Sequence, residues 1–193
     1  MSCFLVGIIE YKLSGSSSND KNFREFDNFL YKIKKIAINQ ELEVLIGWNI
    51  PTAAFDNIKE SIPHCIKNKK NIVRFMITRS PMDNTSDNIF SNWEYEASKE
   101  DYVFGTERVF RNLENFFDET IKLTETESIW VRYQSIFNND LNHIESWSDL
   151  ETKIYKQYSN DNNFEISDFE IYKDKDKGTV LPEMIPSTEE TDF

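Results

Sequence analysis

Blocks of apolar residues at distinct spacings mark out most of the elements of this chain. Phe4-Leu5-Val6-Gly7-Ile8-Ile9 is an unbroken apolar run within residues 3–13. It is strand-length and has no polar side, so it predicts a strand buried on both faces. Residues 14–19 are rich in Ser with one Gly and read as a turn. Asp20 then stands where an N-cap would, ahead of Phe23, Phe26, Leu30, Ile33 and Ala37 at three- and four-residue spacing. Those five share one helical face, and Phe29 and Ile36 widen it.

Residues 41–48, rich in Leu, Val and Ile, predict a second strand. Pro51 leads into a short helix carrying Phe55, Ile58 and Ile62, disturbed near its end by Pro63. Residues 71–80 read as a third strand, and the Asn, Asp, Ser and Pro of residues 81–92 as a long loop. A helix is expected over residues 106–122 through Val109, Phe110, Leu113, Phe116, Phe117 and Ile121. Residues 127–135 alternate, with Ile129, Val131 and Tyr133 on one side of a fourth strand. Ser148 and Glu151 match a capping box that opens a helix through Leu150, Ile154, Tyr155 and Tyr158. Residues 164–172 suit a fifth strand, at an edge. From residue 173, alternating Asp and Lys followed by Pro182 and Pro186 predict a mobile tail.

The expectation is therefore one globular domain over residues 1–172, of α/β or α+β class, with an acidic C-terminal tail at 173–193. Its core would be a central mixed sheet of about five strands with four main helices, in the order β-α-β-α-β-α-β-α-β. A chain of 193 residues buries roughly 70% of its unfolded surface without needing disulfides or metals. Fifteen Phe, eight Tyr and four Trp supply the bulk. Cys3 and Cys65 give no disulfide framework, and the N-terminal apolar run is too short for a signal core or a membrane span. A cytoplasmic protein that does not engage membranes is expected.

Charge changes the picture further. The net charge is −12, yet residues 1–80 hold twelve basic and eight acidic side chains, against ten and twenty-six in residues 81–193. An acidic half repels phosphate backbones and attracts basic proteins, so no direct nucleic-acid binding is expected. Phosphate-cradling glycine motifs and the G-x-S-x-G elbow are absent from the sequence. His64 and Cys65 are neighbours and His143 is distant, which makes no metal-ligand set. Neither a catalytic residue, a metal nor a cofactor is called for.

The anomaly is an acidic helix end. Glu114, Asp118 and Glu119 fall in the C-terminal half of the helix over residues 106–122. That is the negative end of its dipole, where each acid costs roughly 0.3–1 kcal/mol. Lys122 offsets part of that. Acids and aromatics also interleave at Trp93-Glu94-Tyr95-Glu96, at Asp101-Tyr102 and around Trp147. Rings supply anchor area at protein interfaces, and complementary charge speeds encounter and selects partners. The candidate partner-binding set is thus Trp93, Glu94, Tyr95, Glu96, Asp101, Glu114, Asp118, Glu119 and Trp147. A merely solvated acidic face, with the rings in the core, accounts for the same pattern.

In composition and size the chain is similar to the immunity proteins that bacteria make against the toxic domains of polymorphic secretion systems. That likeness implies an inhibitor whose acidic, aromatic surface covers the basic active site of a cognate toxin or effector. One alternative is a small cytosolic enzyme using carboxylate acid–base chemistry, which needs a cleft and convergent polar groups. Another is an adaptor that binds a partner through its C-terminal tail. The sequence leaves the oligomeric state open.

Overall fold

The apolar run at the N-terminus becomes strand β1 (Phe4–Tyr11), and the periodic segment after it becomes helix α1 (Asn19–Asn39). Then follow β2 (Glu43–Ile46), the single-turn α2 (His64–Lys67), β3 (Ile72–Thr78) and the long helix α3 (Lys99–Lys122). The chain continues through β4 (Thr126–Gln134), β5 (Asn142–His143), β6 (Phe169–Asp174) and β7 (Gly178–Thr179). This computed structural model describes residues 4–15, 19–47, 50, 62–67, 69–78, 99–134, 142–143 and 169–179. The expected helices around Phe55 and after Ser148, and the loop over 81–92, lie outside them.

The fold is α+β. The strands lie in the order β2-β3-β1-β4-β6-β5, with β7 also on β6. Each ladder among β1, β2, β3, β4 and β6 is antiparallel. Parallel pairing is confined, among the described residues, to the two-residue contact of β5 with β6. The mixed sheet expected from the alternation of strands and helices is corrected accordingly. The crossovers are real: β1 and β2 run the same way, as do β3 and β4. In each case an antiparallel strand lies between them, giving two interleaved split β-α-β units. Local periodicity reports which residues form strands, and nothing in it reports which strand will slot between two others.

Alternation sends odd-numbered residues of the central strands to one face. Leu5, Ile9, Val73, Phe75, Ile77, Ile129, Val131 and Tyr133 form one buried cluster with Phe29, Ile33 and Ala37 of α1 and Leu113, Phe116, Phe117 and Ile121 of α3. The opposite face buries Val6, Ile8, Met76, Trp130 and Tyr172 against Ile62 and Ile66. Burial on both sides is why β1 carries no polar residue before Glu10. On α1 the core stripe centres on Phe29, Ile33 and Ala37. Phe23, expected in that stripe, is turned roughly 80° away from Ile33 and is exposed. Among the described residues, no helix is long and apolar enough to cross a membrane.

Helix α1 ends in a Schellman arrangement. The Leu42 N–H donates to Ala37 O at 2.9 Å and the Glu41 N–H to Ile38 O at 3.0 Å. Glu41 takes the left-handed conformation, with φ of 55°, and Leu42 is buried beneath the turn. At the start of α1 the helix already includes Asn19, so Asp20 sits in the first turn rather than at the cap. There its charge still favours the positive dipole end. Helix α3 begins at Lys99, seven residues before the expected start, because Gly105 is accommodated inside it.

Of the expected tail, residues 173–179 belong to the sheet, and residues 180–193 lie outside the described residues. Lys173 and Asp174 extend β6, and β7 pairs back on it with Lys173 opposite Thr179 and Asp174 opposite Gly178. Gly178 adopts a φ of 75°, and the Asp174 carboxylate accepts from the Asp176 and Lys177 N–H groups to hold the turn. The Lys175 ammonium donates to Leu123 O, Thr124 O and Thr126 O at 2.6, 3.3 and 3.0 Å, just past the end of α3. The Asp/Lys alternation is therefore a turn plus a helix cap. Strand β6 is not a bare edge either, since β5 and β7 lie along its outer side.

Gly7 sets the closest approach in the sheet. A Cβ there would lie 2.3 Å from the Phe75 ring and 2.6 Å from the Trp130 carbonyl oxygen. The Phe75 ring crosses the glycine and meets Phe116 of α3 edge-on, with centroids 5.9 Å apart. We expect Gly7→Ala to destabilise the fold by about 2–3 kcal/mol through overpacking, measured by urea denaturation. Combining it with Phe75→Leu should cost less than the sum of the two changes, because removing the ring relieves its part of the clash and leaves only the Trp130 carbonyl.

Candidate functional site

Two regions hold the chemistry that the described residues offer. The first is the acidic end of α3. Phe116, Phe117 and Ile121 turn inward, and Thr120 is buried with them. Glu114 and Asp118 are half-buried and Glu119 is exposed. The Asp118 carboxylate accepts from Lys173 Nζ of β6 at 2.5 Å, and Glu119 from Lys122 Nζ at 2.8 Å. Lys173 relieves the repulsion between Glu114 and Asp118, and Lys122 follows the dipole rule at the helix end. The helix end is therefore less anionic than its sequence. Nothing in the local spacing marks Lys173, fifty-five residues away, as the partner of Asp118.

Asp101 lies in the first turn of α3, where an acid is favoured by the helix dipole. Trp93, Glu94, Tyr95, Glu96 and Trp147 fall outside the described residues, so of the nine candidates the structure places Asp101, Glu114, Asp118 and Glu119 on one helix. Acids outnumber bases twenty-six to ten over residues 81–193, the part of the sequence that also carries Trp93, Tyr95 and Trp147.

The second region, on the sheet face opposite α1 and α3, was not anticipated from sequence. Lys69 Nζ pairs with Glu10 Oε1 at 2.9 Å, and Ser128 Oγ donates to Glu10 Oε2 at 3.0 Å. Tyr172, opposite Trp130 in the ladder, hydrogen-bonds Ser128. Trp130 Nε1 donates to Glu170 Oε2 at 3.0 Å, with both residues buried. Arg132 stands opposite Glu170, also buried, and its Nε has no hydrogen-bond partner. The only hint in the sequence was that Ser128, Trp130 and Arg132 form the other side of an alternating strand, and a Trp there argues against a solvated side.

Chemically this seam is quiet. Burial pushes the Tyr172 phenol up to about 12, outweighing the opposing effect of its Ser128 hydrogen bond. Burial also raises the Cys65 thiol, with Lys69 opposing and Glu10 and Glu170 adding to the rise. At neutral pH both groups hold their protons, so they offer hydrogen bonds rather than an activated nucleophile. Lys69 is held protonated above its ordinary range by its hydrogen bond to Glu10. Among the described residues no cluster of three His, Cys, Asp or Glu side chains is placed to hold a metal ion.

No protein-family model matches the chain, and no curated protein or solved structure shows significant similarity to it. The seam does generate a pH prediction. The unfolded chain releases the Tyr172 proton near its ordinary value of 10.0, whereas the folded chain keeps it until about 12. Above the lower value the unfolded state binds fewer protons, so stability is fully present below it and falls as pH rises towards the upper one. Urea midpoints measured across that alkaline window should drop for the wild type and drop less steeply for Tyr172→Phe.

Proposed function

We propose that this chain is a protein-binding inhibitor of the immunity type, which neutralises a basic toxin or effector enzyme in the bacterial cytoplasm. Its acidic, aromatic stretches would dock over the cationic active site of that partner. The observation that supports this reading is the segregation of charge along the chain: ten basic against twenty-six acidic side chains in residues 81–193, where residues 1–80 hold twelve and eight. An acidic excess of this size attracts cationic partners and speeds encounter with them.

In this reading Trp93, Tyr95 and Trp147 are the anchors, and Glu94, Glu96 and Asp101 set the complementary field. Glu114, Asp118 and Glu119 contribute at the rim. Their weight there is smaller, because Lys173 and Lys122 already draw on two of them and solvent-exposed charge pairs contribute little energy. Inhibition would proceed by occlusion, with charge complementarity setting the encounter rate.

The test is functional. A partner captured by the tagged chain should be basic, and its purified activity should fall to near zero at one equivalent of this protein. Association should slow by about tenfold or more from low to high salt. Trp93→Ala, and separately Glu94→Lys with Glu96→Lys, should weaken the complex by at least about tenfold while thermal stability stays unchanged. A captured partner that keeps full activity in excess inhibitor, or affinity untouched by these changes, overturns the proposal.

A further inference from the structure

Helix α1 has a second, outward stripe. The exposed large hydrophobics among the described residues are Phe23, Tyr31 and Ile38, at 66%, 65% and 63% exposure, and all three belong to this helix. Together with exposed Asp27 and Lys34 they recur at intervals of four, four, three and four residues. Such spacing keeps all five within a sector of roughly 80°, centred roughly 120° around the helix from the buried stripe of Phe29, Ile33 and Ala37. Solvated helix faces carry single apolar residues; three aligned along one face of a 21-residue helix suit a helix-sized partner.

The geometry points to a second copy of this chain as that partner, bound through an antiparallel α1–α1 pair about a twofold axis between Leu30 and Tyr31. With the axis there, Phe23 of one copy faces Ile38 of the other, and Asp27 faces Lys34. The two Tyr31 rings flank the axis itself. One register satisfies both the apolar and the charged pairs, which is the self-complementarity an isologous interface requires. A parallel pair would set Asp27 against Asp27 and Lys34 against Lys34. The antiparallel arrangement also opposes the helix dipoles favourably. At the outer ends Asp20 approaches the second copy's Glu41, an exposed like-charge contact that moderates the affinity. Two helices of about 30 Å bury a modest area, so the dimer belongs in the micromolar range.

Sedimentation equilibrium of the full chain across the micromolar range tests this directly. The wild type should self-associate to a dimer, and Phe23→Ser or Ile38→Ser should leave it monomeric with an unchanged far-ultraviolet circular dichroism spectrum. Asp27→Lys alone and Lys34→Asp alone should each weaken the dimer by about tenfold, since each change acts twice per dimer. The double variant Asp27→Lys with Lys34→Asp should restore wild-type association. A monomer throughout the range, or a double variant no tighter than the single ones, overturns the pairing.

Discussion

The ring of Phe75 fills the space that a side chain at residue 7 would need, and the arrangement of the sheet turns on that contact. Strand β1 is the middle of three long antiparallel strands, with β3 on one side and β4 on the other. At Gly7 the neighbouring Phe75 ring folds across the backbone, and a Cβ there would meet both that ring and the Trp130 carbonyl of β4. From there the ring reaches Phe116 of α3. One aromatic side chain thereby links three strands to the helical layer. Interiors packed to this density transmit any change of volume directly to their neighbours.

Around that centre the two split β-α-β units bury apolar residues on both sheet faces and use polar groups sparingly, in pairs such as Trp130–Glu170 and Ser128–Glu10. Lys32 of α1 reaches the Glu125 carboxylate at 2.5 Å, pinning the α3–β4 turn to the first helix. A scaffold of this kind does not by itself specify a function.

Much of the scaffold was legible from residue spacing. The run from Phe4 to Ile9, the heptad-like apolar face of α1 and the alternation of Ile129, Val131 and Tyr133 each predicted an element that is present. Strand pairing was not legible, because nothing local marks β3 for the slot between β1 and β2. Long-range polar contacts escaped for the same reason: Asp118 with Lys173, Lys32 with Glu125 and Glu10 with Lys69. Composition misled at the Asp/Lys alternation after Tyr172, where a disorder-like segment serves as a turn and a cap. Spacing misled at Phe23, where the drift of a 3.6-residue turn against a three–four repeat carries the side chain off the core stripe and into solvent.

The ammonium of Lys175 is shared among three carbonyl oxygens beyond the last turn of α3. A neutral or acylated side chain at that position would leave those oxygens to water and loosen the tie between helix and hairpin. That side chain therefore couples opening of the β6–β7 turn to fraying of the helix terminus. Amide protons at the two places should exchange with solvent in concert, although they are some fifty residues apart in the chain.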